Sequence, residues 1–155
     1  GMRLSEACGL RVEDIRLGET IPYINITPNS SRRLKTKGSA RQIPLVGSSL
    51  WAAERIIART SGSLAFPRYC DGVRVKANSA SGYLNKWLRT RVPEGCVVHS
   101  FRHSFRDRLR AVQCPSDMID QIGGWATTSV GQGYGEGYGL EVCAKWINKT
   151  SPLPT

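Results

Sequence analysis

His99-Ser100-Phe101-Arg102-His103-Ser104 is the stretch on which the reading of this chain turns. Arg102 follows His99 by three positions, so a helix places the imidazole and the guanidinium on one face. Both histidines of the chain fall in this run. The run opens a helix expected from His99 to about Val112, which Cys114-Pro115-Ser116 then breaks. Around it, in chain order, stand Arg3, Lys35, Trp125 and Tyr134. This set suits in-line attack of a tyrosine on a phosphodiester. Guanidiniums grip non-bridging phosphate oxygens bidentately and stabilise the charge that builds up in the transition state. An ammonium can protonate a leaving oxygen, and a phenol can hold a covalent phosphate.

The composition fits that chemistry. With 155 residues, 40% of them hydrophobic, the chain is read as one domain with a real core. Lys and Arg number 22 against 12 acids, a net charge of +10. The excess favours a polyanionic partner, because neutralising phosphates releases counterions from DNA. The cations are spread along the chain, as in a folded binding face, and do not form a basic tail. Weak, sequence-independent and salt-sensitive DNA binding is expected. The five cysteines are odd in number, widely spaced and contain no CxxC pair, which argues against zinc and for reduced core thiols of a cytoplasmic protein. No stretch is apolar enough to span a membrane.

Outward from the central run, the periodicity predicts a mostly helical α+β fold with a small antiparallel sheet. A short helix follows Arg3, with Ser5 as its cap and Gly9 as its end, and Val12-Glu13-Asp14-Ile15 forms a further turn. Tyr23–Ile26 alternates as a strand. Gln42–Leu45 is a second strand, expected to pair near Leu34 across a loop at Lys37-Gly38-Ser39. Ser48 or Ser49 caps a helix running to about Ala58, with Leu50, Ala53, Ile56 and Ile57 on one face. Tyr83, Leu84, Trp87 and Leu88 also recur at helical spacing. A helix from Ser116 through Ile122 stops at Gly123-Gly124. After a glycine-rich stretch over 131–139, expected to be mobile, Leu140–Asn148 forms a last helix. Its Leu140, Cys143, Ala144 and Ile147 make an apolar face, widened by Val142 and Trp146. That face needs cover from the same body or from a neighbour.

Four pieces in this order resemble the tyrosine recombinase family, the phage integrases. They are Gly1-Met2-Arg3-Leu4-Ser5-Glu6, Leu34-Lys35-Thr36, the His99–Ser104 run, and Ile122-Gly123-Gly124-Trp125 ahead of Tyr134. The resemblance implies site-specific DNA recombination and integration, by strand cleavage and rejoining through a 3′-phosphotyrosine, with no metal or other cofactor. It implies the fold of the DNA breaking-rejoining enzymes, in part. Residues 1–155 then form a C-terminal catalytic-domain fragment, with an N-terminal DNA-binding domain and the start of the catalytic domain lying before Arg3. The implied partners are double-stranded DNA and further copies of the chain, a tetramer on DNA.

The resemblance also distributes roles. Arg3 and Arg102 bind the scissile phosphate, and Glu6, three residues after Arg3, buttresses the site. Lys35 is the general acid to the 5′-oxygen, with Lys37 its rival two residues along the same strand face. His99 exchanges a proton near the tyrosine or the leaving oxygen, while His103 is taken as structural. Trp125 stands where most members carry a second histidine; its N–H can hold a phosphate oxygen but cannot shuttle protons. Tyr134, nine residues beyond Trp125, has the family's spacing for the nucleophile, with Tyr138 as the alternative. Two other functions stay open at this point: a type IB topoisomerase-like activity and a non-catalytic DNA-binding remnant.

Overall fold

The computed structural model describes residues 1–34, 39–125 and 137–150. Among them are six α-helices and a three-stranded antiparallel sheet. The short helix α1 (Leu4–Cys8) leads through a 3-10 turn at Val12–Asp14 into β1 (Ile15–Arg16), β2 (Tyr23–Ile26) and β3 (Arg41–Pro44). Four helices follow: α2 (Ser48–Arg59), α3 (Ala77–Leu88), α4 (Ser100–Ala111) and α5 (Ser116–Gly123). The chain then reaches α6 (Leu140–Lys149). No helix among the described residues is long and apolar enough to cross a membrane.

The sheet adds a partner that the alternation did not name. Among the described residues β3 pairs with β2, Ile24 opposite Ile43 and Ile26 opposite Arg41, while residues 35–38, next to Leu34, lie outside them. β1 flanks β2 on its other side, with Ile15 opposite Ile24. Alternation along β2 turns Ile24 and Ile26 inward. β3 begins at Arg41, one residue before the strand expected from Gln42, and Arg41 shares its inward face with Ile43.

Two apolar cores result. The first joins the sheet to α2, uniting Ile15, Ile24, Ile26 and Ile43 with Ala53 and with the half-buried Leu50, Ile56 and Ile57. The amphipathic face read for α2 is therefore the packed one, although Gly47, at φ 50°, and not a serine side chain caps the helix. The second core unites Leu109 of α4, Met118, Ile119 and Ile122 of α5, and Cys143 and Ile147 of α6. The apolar face of α6 is thus covered by its own body, with Cys143, Ala144 and Ile147 buried. Val142, expected to widen that face, is exposed. Tyr83 and Trp87 of α3 are exposed as well, while Leu88 is buried.

Local chemistry explains the other boundaries. Ser5 lies inside α1 and does not cap it. The cap is Arg3, whose backbone N–H donates to Glu6 Oε2 at 2.8 Å. Gly124 ends α5 in the left-handed conformation, at φ +62°, where an L side chain is strained. Gly123 is required for a different reason: a Cβ there would overlap the Trp125 ring.

Candidate active site

The junction of the two cores gathers arginines around one carboxylate. Glu6, on α1, is 3% exposed. Its Oε1 accepts from Arg3 Nη1 at 2.7 Å, and its Oε2 accepts from Arg41 Nη2 at 2.9 Å. Arg41 Nη1 adds a longer bond to Oε1 at 3.3 Å. Burial alone would raise the Glu6 carboxyl, but hydrogen bonds and charge from Arg41, then Arg3, outweigh it and hold it below the usual carboxylate range.

The end of α5 completes the arrangement. Its last carbonyls carry the partial negative charge of a helix C-terminus and lack intrahelical donors. Three arginines supply them. Arg41 Nε donates to the Ile122 oxygen at 2.9 Å, Arg102 Nη1 to that of Gly123 at 2.6 Å, and Arg3 Nη2 to that of Gly124 at 3.0 Å. Three residues from three elements are thereby registered on successive peptides of a fourth. Arg102 Nη1 also donates to the Gly1 oxygen.

Arg102 is buried, yet one side of it reaches solvent space. It lines, with Arg3 and His99, a cleft of about 510 Å³ between α1, α3 and the start of α4. Met2, Leu4, Val98 and Phe101 form apolar wall. Burial, then the charge of Arg3, draw the Arg102 guanidinium down to about 10, so it stays charged at neutral pH. The Trp125 ring lies 4.2 Å from the Arg102 Cζ and 4.8 Å from that of Arg106. This stacking fixes the Arg102 fork from behind. Arg106 is itself paired with Asp120 at 3.0 Å. His99 caps α4, is exposed, and meets the edge of the exposed His103 ring at 4.8 Å between centroids.

The structure therefore brings together Arg3, Glu6, His99, Arg102 and Trp125. Lys35, its rival Lys37, and Tyr134 lie outside the described residues. Tyr138 lies within them and is engaged elsewhere. Its hydroxyl donates to Asp117 Oδ2 at 2.8 Å, and its backbone N–H and C=O both bond the Gln121 amide at 2.8 Å. The bond to Asp117, with some burial, pushes the phenol above its ordinary value.

Arg41 is the member of this cluster that sequence reasoning missed. Its signal was present: alternation across Arg41-Gln42-Ile43 puts the guanidinium on the face of a core isoleucine, and an inward arginine needs partners. A second internal ion pair also went unread. Arg32 forks onto Asp14 at 2.7 and 3.1 Å and donates to the carbonyls of Gly9 and Thr27.

Compared with models of known families, residues 1–137 match that of the phage integrase family. No curated protein and no solved structure matches the chain.

Proposed function

The chain belongs to the phage integrase family, a membership that implies site-specific recombination, and from that premise we propose that it cuts and rejoins DNA through a covalent 3′-phosphotyrosine. The observation that carries the reading is that Arg3, Arg102 and His99 line one cleft. Two guanidiniums reaching one space from α1 and α4 suit the non-bridging oxygens of a single phosphate.

On this reading the fold is the catalytic part of a DNA breaking-rejoining enzyme. Tyr134 attacks phosphorus, forming a tyrosyl P–O bond while the bond to the 5′-oxygen breaks. The phenol proton passes to His99, and Lys35 delivers a proton to the departing 5′-oxygen. Arg3 and Arg102 neutralise the equatorial charge that grows in between. Trp125 acts behind Arg102, holding it by stacking. The engagement of Tyr138 with Asp117 favours Tyr134 as nucleophile. Four copies acting on two duplexes complete the exchange, and α6 packs in cis while the chain is alone.

A nicked-duplex pool of randomised sequence tests the proposal. Attack beside the nick releases a short strand and traps the protein on DNA. An SDS-resistant adduct is expected, and Arg102→Ala should remove it. DNA binding with no adduct from any sequence would favour the non-catalytic remnant. Relaxation of supercoiled plasmid without strand exchange would favour the topoisomerase-like activity.

A further inference from the structure

The cluster poses an electrostatic problem. A carboxylate 2.7 Å from Arg3 orients that guanidinium well, but it also cancels the charge a phosphate would seek. Arg41 bears on this. Its side chain is 3% exposed, and its polar partners among the described residues are internal: Glu6, the Ser39 oxygen at 2.7 Å and the Ile122 oxygen. It is not among the residues that line the cleft. We propose that Arg41 is a positioning residue that neutralises Glu6 from the rear, so that Glu6 can orient Arg3 without quenching it.

The charges follow directly. Arg3, Arg41 and Arg102 against Glu6 leave two net positive charges beside the cleft, the number of guanidiniums that line it. Arg106 does not alter this balance, being paired with Asp120. The geometry is that of a shared carboxylate: Arg41 takes both oxygens of Glu6, while Arg3 takes one through its guanidinium and the other through its backbone N–H. Arg41 also ties β3 to α5, so it holds Glu6 in register with the carbonyls that seat Arg3 and Arg102.

The inference rests on the reading of Arg3 and Arg102 as phosphate ligands, and its test does not need catalysis. Inorganic phosphate is titrated into the full chain, labelled with 15N-arginine, while the Nε–Hε signals of Arg3 and Arg102 are followed. Arg41→Met leaves one net charge and should weaken phosphate binding about tenfold. Arg41→Lys keeps the charge and should stay within about twofold of the unaltered chain, even where its loss of the fork lowers stability. The decisive variant is Glu6→Gln with Arg41→Met, which restores two net charges and should recover affinity to within about threefold. Glu6→Gln alone, with three net charges, should bind phosphate more tightly, and it serves where Arg41→Met does not fold. A double variant as weak as Arg41→Met would overturn the proposal. So would unchanged affinity in Glu6→Gln, or no phosphate binding by the unaltered chain. Phosphate binding in the stated order without any DNA adduct would refute strand cleavage and leave this inference standing; an adduct with the order broken would do the reverse.

Discussion

Tyr138 donates its phenolic proton to Asp117, at the opposite end of α5 from the carbonyls that hold the arginines. Asp117 and Gly123 are separated by about 9 Å along a helix rising about 1.5 Å per residue. Tyr138 therefore serves as an anchor, closed off by Gln121 on its backbone and Asp117 on its ring. Tyr138→Phe should retain adduct formation on nicked duplex DNA, and Tyr134→Phe should abolish it. Gel quantification of the trapped protein checks both; loss of the adduct only in Tyr138→Phe would reassign the nucleophile.

Arg32 and Asp14 form a pair removed from solvent, with side chains 1% and 8% exposed. Removing one partner strands the other charge. Arg32→Met is expected to cost about 3–5 kcal/mol. Adding Asp14→Asn should return part of that loss. Urea midpoints of the two single variants and the double variant measure the coupling directly.

Burial, then the neighbouring Cys143 thiol, push the Cys114 thiol from 9.0 up to about 11. A raised pKa means that the folded chain holds the proton more tightly than the unfolded one. The stability this contributes is fully present below about pH 9 and is lost as the pH climbs through about 11. Urea midpoints should fall across that window, and Cys114→Ala should flatten the fall. A window unchanged in the variant would remove Cys114 as its source.

Gly124 sits at φ +62°, and a Cβ there would approach Arg41 Nη1 to 2.5 Å. Gly124→Ala should cost about 1–2 kcal/mol from the left-handed backbone alone. It should also disturb the carbonyl that seats Arg3. Thermal melts read the first effect, and the Arg3 Nε–Hε shift reads the second. A stability loss without movement of that shift would detach Gly124 from the site.

With a net charge of +10, DNA affinity should depend steeply on salt. If six phosphates are contacted, affinity falls about a thousandfold between about 50 and about 200 mM salt. Fluorescence anisotropy across that range measures the slope, and indifference to salt would refute an electrostatic interface.

The sequence by itself determined the local elements and the chemistry available. The helices α2, α4, α5 and α6 were legible because each repeats its apolar residues at helical spacing between a start and a stop. His99 and Arg102 were legible as neighbours because they stand three positions apart where a helix begins, and both line the cleft. Strand partners were not legible. Alternation says which face of β3 is buried, but not that β2 lies beside it across residues 27–40. Nor did spacing disclose Arg41, whose meaning depends on Glu6 from 35 positions away and on Ile122 from 81. Only the tertiary structure decided that α6 covers its own core and that Tyr138 is tied to Asp117. It also decided that the end of α5 seats three arginines. Buried charges and helix-end carbonyls must find partners, and which partners they find is set by how distant segments pack.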